Sequence, residues 1–206
     1  MAGIAMNENA FVRLLAPLVL GLVLLLGACQ QGAQSGPPPL EGATMGGPFA
    51  LTNQDGRRQS DTDFAGKYRL VYFGYTFCPD VCPVDMQVIG AGLRKFEEQD
   101  RARAERVQPI FITVDPARDT PEVLRAFVRN FHPRLIGLTG SEAEIANVAR
   151  AYAVHYNRET PNAQGAYLVD HTRIVVLYGP NGEPVAIIPH DQGPDGVAAE
   201  LARWVR

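Results

Sequence analysis

The sequence predicts an α/β domain with a mixed central sheet, and three observations predict it. Lys67–Tyr75 (KYRLVYFGY) and Val107–Val114 (VQPIFITV) are continuous apolar, β-branched and aromatic runs, the pattern of buried central strands. Between them, across Val84–Glu98, Met86, Ile89, Leu93 and Phe96 fall three or four apart, the spacing of one helix face. Strand, helix, strand in that order implies parallel pairing. By contrast, Gly179-Pro180-Asn181-Gly182 between Arg173–Tyr178 and Pro184–Ile188 signals an antiparallel hairpin.

From the amino terminus, Leu14–Leu26 (LLAPLVLGLVLLL) is apolar and uncharged. It is shorter than the roughly 20 residues a spanning helix needs and matches the apolar region of a signal peptide. The preceding segment is weakly basic, with Arg13 offset by Glu8. Leu26-Gly27-Ala28-Cys29 follows directly and resembles a bacterial lipobox, in which the cysteine becomes the lipidated first residue. Residues 1–28 are therefore expected to be a signal peptide of the lipoprotein type, with Cys29 as the lipid attachment. The alternative is a short membrane anchor lengthened by Phe11, Val12, Gly27 and Ala28. Either reading places the protein in the bacterial cell envelope, membrane-tethered, with its domain in the periplasm. Residues 29–48 are dominated by Gly, Pro, Ser and Gln and read as a flexible tether. The folded domain is expected to span 49–206.

Within that domain, Phe49–Asn53 and Arg57–Ser60 flank Gln54-Asp55-Gly56 and form a first hairpin. Thr120-Pro121-Glu122 opens a helix, with threonine as cap and proline where its missing N–H costs nothing; His132-Pro133 stops it after Phe131. Ser141 with Glu144 is a capping-box start for a helix to Tyr152. Gly196–Arg206 closes the chain as an amphipathic helix carrying Val197, Leu201 and Trp204. The order is hairpin, β, α, β, α, α, β, β, α. It fits a thioredoxin-like fold with an N-terminal β-hairpin and a late β-hairpin insertion.

Composition narrows the function. The 206 residues carry a net charge of −3, with 46% hydrophobic and 20% charged residues. That excludes wholesale disorder and a multi-span membrane protein. Without a basic excess there is nothing to replace counterions on phosphate, so no nucleic-acid partner is expected. Three cysteines are too few for a disulfide scaffold.

Two of those cysteines, Cys78 and Cys82, follow the first buried strand in Thr76-Phe77-Cys78-Pro79-Asp80-Val81-Cys82-Pro83. Strand end followed by helix start is where α/β proteins place reactive groups. Cys82 is expected as the helix cap with Pro83 first in the helix. Two close thiols can form a structural disulfide, exchange electrons or hold a soft metal. The disulfide loop is so short that it would stabilise little. A helix N-terminus lowers a thiol pKa, whereas Asp80 and Asp85 oppose thiolate formation. For a metal, sulfur ligands favour copper(I), and a closed zinc site would want more ligands than two cysteines supply.

The stretch Phe73–Pro83 (FGYTFCPDVCP) resembles the Sco/SenC family of copper-binding, thioredoxin-fold assembly factors for cytochrome c oxidase. Thr113–Glu122 (TVDPARDTPE) is similar to that family's second signature, and Asp170-His171-Thr172 to its third. The matching segments run in order from Tyr72 to Tyr178. The resemblance implies copper held by Cys78, Cys82 and His171, as Cu(I) with Cu(II) also open, and a redox disulfide between the same two cysteines. It implies the copper-bearing oxidase subunit as partner, with upstream copper donors or thiol reductants. It implies a metallochaperone rather than an ordinary enzyme. The enzymatic alternative is a thiol–disulfide oxidoreductase keeping oxidase-subunit cysteines reduced.

Read from the residues alone, His171 stands where such a fold returns the chain to the first helix's N-terminus. His132 ends a helix, His155 alternates with Val154 and Tyr156, and His190 lies in a loop between prolines. Asp170, Asp115 and Phe77 are candidates for supporting the ligands or touching a partner; their structural alternatives are turn formation, capping and packing. A peroxiredoxin-like peroxidase needs Thr or Ser three residues before its cysteine, where Tyr75 stands. A copper sensor or store has the same ligands as a donor.

Overall fold

The computed structural model describes residues 36–206, so the segment expected over 1–28, and Cys29 with it, lie outside the described residues. Nine strands follow in chain order: β1 (Ala50–Asn53), β2 (Arg58–Ser60), β3 (Tyr68–Gly74), β4 (Val107–Thr113), β5 (Ile136–Thr139), β6 (Tyr156–Arg158), β7 (Val169–His171), β8 (Val175–Tyr178) and β9 (Pro184–Ile187). The helices are α1 (Val81–Gln99), α2 (Arg101–Ala104), α3 (Pro121–Val128), α4 (Glu142–Ala151) and α5 (Gly193–Trp204). Seven strands form one mixed sheet in the order β2-β1-β5-β4-β3-β8-β9, while β6 and β7 pair separately.

The centre of the sheet is where the apolar runs predict it. Every residue of β3 and β4 is buried, and they pair in parallel from Tyr68↔Val107 to Gly74↔Thr113. Alternation along β3 sends Leu70 and Tyr72 into one core and Val71 and Phe73 into the other. The first core holds Met86, Leu93 and Phe96 of α1, Leu124 of α3 and Leu201 and Trp204 of α5; the second holds Ile145 and Val148 of α4. Helices therefore cover both faces, and both predicted hairpins, β1–β2 and β8–β9, form antiparallel edges. The mixed α/β, thioredoxin-like architecture stands as expected.

The predicted caps are present. Thr120 accepts from the Val123 N–H at 3.4 Å, and Ser141 from Glu144 at 3.2 Å. Other features depart from the sequence reading. The run Ile136–Thr139 is a strand, β5, bridging β1 and β4. Helix α1 starts at Val81, so Cys82 lies inside its first turn and is not the cap. Pro83 is then the third helical residue, where the N–H it lacks would have had no partner within the helix.

Residues 37–48 are docked rather than free. The Leu40 N–H donates to the Val185 carbonyl at 3.1 Å, Gly46 to Ala151 at 2.8 Å, and the Tyr152 hydroxyl to the Gly47 carbonyl at 3.1 Å. Leu40 and Met45 pack on the second core, and the folded unit runs from Pro37 to Arg206.

Candidate metal centre

The site lies at the carboxyl end of β3. Tyr75, Thr76 and Phe77 lead from the strand to Cys78, and α1 carries Cys82 one turn on. The Cys82 N–H donates to the Cys78 sulfur at 3.4 Å. Burial pushes the Cys78 thiol up, but the N–H groups of Cys82, Asp80 and Val81 and the Cys82 side chain outweigh it, leaving the pKa below its ordinary value. Burial pushes the Cys82 thiol up to about 12. Both cysteines are free and buried.

The Cys78 pKa is lowered despite the nearby Asp80 and Asp85 carboxylates. Asp80 supplies its backbone N–H to Cys78. Asp85 is buried, and Arg173 neutralises it through two bonds of 2.7 Å, with the Tyr72 hydroxyl donating at 2.8 Å and His190 Nε2 at 3.5 Å. Burial raises the Asp85 pKa, but those partners prevail and hold it well below the usual carboxylate range.

His171 is the last residue of β7, opposite Tyr156 on β6. Its Nε2 lies 3.2 Å from the Cys82 sulfur and its Nδ1 3.2 Å from the Thr172 carbonyl. A carbonyl only accepts, so Nδ1 carries the proton and Nε2 presents its lone pair toward the sulfur. The ring stands edge-on to Tyr72 at 6.1 Å and Tyr75 at 6.0 Å, and burial lowers its pKa, which keeps it neutral. The Val169 N–H donates to the Tyr75 hydroxyl at 3.3 Å, fastening β7 to the loop that carries the cysteines.

Two sulfurs and a neutral imidazole thus converge from a loop, a helix start and a separate ribbon. That donor set suits a soft monovalent ion. Among the described residues, no group of three or more His, Cys, Asp or Glu is placed so that it could hold a metal ion. Here His171 Nε2 is engaged with Cys82 instead.

The other expected residues divide. Asp170 precedes His171 on a strand and is exposed, so alternation turns it away from the sulfurs. Phe77 is half-exposed, its ring 5.0 Å from the Arg118 guanidinium. Asp115 is buried, accepting from the Tyr167 hydroxyl at 2.9 Å and pairing with Arg118. His190 is not an exposed loop residue; its side chain is largely buried beside Asp85. His132 is buried against Glu97, and His155 is exposed. The group Asp85–Arg173–His190–Tyr72 is absent from the sequence reading, and no spacing announces it.

A family model described as SCO1/SenC matches residues 37–206. The SCO1 homolog of Homo sapiens, named mitochondrial, is 39% identical over 163 residues, which is 79% of this chain and 53% of the relative. The chain spans about half the length of the curated relatives it matches. The structure of Bradyrhizobium japonicum ScoI with copper bound is 40% identical, with a TM-score of 0.70 and a match covering 78% of this chain and 99% of that one. Yeast Sco1 with copper bound is 32% identical, with a TM-score of 0.71 and coverage of 79% and 88%. These relatives overturn the expected bacterial envelope location. The human, Arabidopsis thaliana, bovine and budding-yeast relatives are all named mitochondrial, and among the described residues no helix is long and apolar enough to cross a membrane. With that model matched from the docked segment to the last residue, and relatives close to two-fifths identical across the same stretch, the chain belongs to the SCO1/SenC family.

Proposed function

We propose that this protein carries copper as Cu(I) on Cys78, Cys82 and His171 and passes it to the copper-bearing subunit of cytochrome c oxidase during assembly. The observation that carries the reading is the 3.2 Å approach of His171 Nε2 to the Cys82 sulfur, made by residues 89 positions apart. Copper is the cargo. The Cys78 sulfur, held by helix N–H groups, is the more readily ionised ligand, and the Cys82 thiol, buried and with a raised pKa, gives up its proton when metal loads. Neutral His171 adds a third donor without a charge. Copper-bound relatives at 32–40% identity support the same cargo here. Membrane attachment in this reading comes through lipidated Cys29 or, alternatively, through residues 1–28 as a short anchor, and upstream copper donors or thiol reductants prepare the site.

The test is a Cu(I) titration of the reduced protein against a chelator of known affinity. Wild type is expected to bind one copper, with Cys78→Ser, Cys82→Ser and His171→Ala each binding about 10-fold or more weaker. Unchanged affinity in any of the three sinks that ligand.

One observation favours a second reading as well. The lowered Cys78 and raised Cys82 thiols are an attacking and a resolving pair. Cys78 thiolate would attack a partner disulfide, and Cys82 would then displace the partner's thiol, leaving a Cys78–Cys82 disulfide and a reduced partner. That activity survives His171→Ala, whereas copper delivery does not.

A further inference from the structure

The turn Asp115–Asp119, between β4 and α3, contributes no copper ligand, yet it grips both segments that do. At one end the buried Asp119 carboxylate accepts from the Thr76 hydroxyl at 2.6 Å and the Thr76 N–H at 3.0 Å, two residues before Cys78. It also accepts from the Thr113 hydroxyl at 2.6 Å, so the cysteine loop is fastened to the end of β4. At the other end Arg118 lies with its guanidinium carbon 3.7 Å from the centre of the Tyr167 ring and donates to the Tyr167 carbonyl at 3.1 Å. Tyr167 in turn donates its hydroxyl to Asp115 at 2.9 Å. Arg158, on β6, reaches the same Asp115 at 3.8 Å. Arg158 is the last residue of β6, and Tyr167 lies two residues before β7, the strand that ends at His171.

We propose that the Asp115–Asp119 turn is a bracket that sets the distance between the cysteine loop and the His171 ribbon, with Arg118 as its positioning residue. The copper part of this rests on the ligand set proposed above. Arg118 suits the role because a planar guanidinium stacks on one ring and donates in its own plane at once, which an ammonium does not. Its ring contacts extend to Tyr75 at 5.7 Å and Phe77 at 5.0 Å, so one side chain touches both sides of the gap. Without the bracket, the ribbon is joined to the cysteine loop chiefly through the Val169–Tyr75 and His171–Cys82 contacts.

The test is a double-mutant cycle on Cu(I) affinity with Arg118→Ala, Arg118→Lys and His171→Ala, each variant checked for a folded circular-dichroism spectrum and thermal midpoint. Arg118→Ala is expected to weaken Cu(I) binding about 10- to 100-fold in the wild-type background and to add almost nothing on top of His171→Ala. Arg118→Lys should recover little. Equal loss in both backgrounds, or no loss, overturns the proposal, since a merely structural contribution does not depend on the imidazole. A second measurement separates this outcome from failure of the ligand set. In the metal-free protein, nuclear Overhauser contacts between the His171 and Tyr75 rings should be present in wild type and lost in Arg118→Lys, which keeps the charge. If they persist, the bracket is wrong whatever the copper result; if they vanish while His171→Ala binds copper normally, only the third ligand is wrong.

Discussion

Gly74 sits where β3 gives way to the cysteine loop, and a Cβ there would lie 2.8 Å from the Tyr72 ring, 3.1 Å from Phe111 and 3.2 Å from the Cys82 sulfur. Gly74→Ala is expected to destabilise by about 1–3 kcal/mol through overpacking and to push the sulfur off its position. Denaturant unfolding, with copper affinity alongside, reads both effects. Asp85 supplies a pH dependence. Its folded pKa is depressed, so its stabilisation is complete above the ordinary carboxylate value of 3.8 and is lost as pH falls below that toward the folded value. His190 works in the opposite sense: its pKa is raised above 6.5 by Asp85, so its contribution is complete below 6.5 and fades as pH rises through the folded value. Asp85→Asn should flatten the acid limb of an unfolding-against-pH curve and cost about 2 kcal/mol near neutrality. That is less than a fully buried pair loses, because Arg173 is half in solvent. Cys78 and Cys82 were legible because their relation is local, four residues across a strand-to-helix junction. Asp85, Arg173 and His190 come from three separate segments, 88 residues apart in the first pair, and no local pattern reports such a meeting.

Elements with one strong periodicity were legible and weak ones were not. β3, β4 and α1 are packed on by neighbours from several directions, so their composition is dictated by burial and shows in the residues. β5 is four residues long and too short to declare a period. β6 and β7 pair as strands only with each other and read as Tyr-Asn-Arg and Val-Asp-His, with little apolar content to mark them. Proline at the first helical position is favoured, so the sequence points to a start at Pro83; the third position tolerates it as well, since no intrahelical bond is lost there. The same helix shows its tolerance elsewhere. α1 crosses α5 at Gly92, where a Cβ would meet Val197 at 2.5 Å and the Pro194 carbonyl at 3.0 Å. Gly92→Ala should therefore force the helices apart, although alanine favours helix, and lower stability by about 1–3 kcal/mol. Thermal unfolding decides whether propensity or packing wins.

For the molecule as a whole, the segment 37–48 is part of the fold. A protein shortened to begin at Phe49 loses the Leu40 and Gly46 backbone bonds and uncovers apolar surface on Tyr152 and Tyr178. It should be less stable by about 1–3 kcal/mol than one beginning at Pro37, as judged by urea midpoints. Composition misled here because glycine and proline suit a tether and a close-fitting strap equally well; only the scattered Leu40 and Met45 separate the two. The two donor types are also rooted differently. The sulfurs hang from the end of a fully buried central strand and a 19-residue helix, whereas the imidazole is borne by a two-stranded ribbon outside the main sheet. Peeling away a small outlying piece costs far less than disrupting the interior. If the proposed copper reading holds, the grip on the ion relaxes one finger at a time, with the body of the protein intact while its burden changes hands.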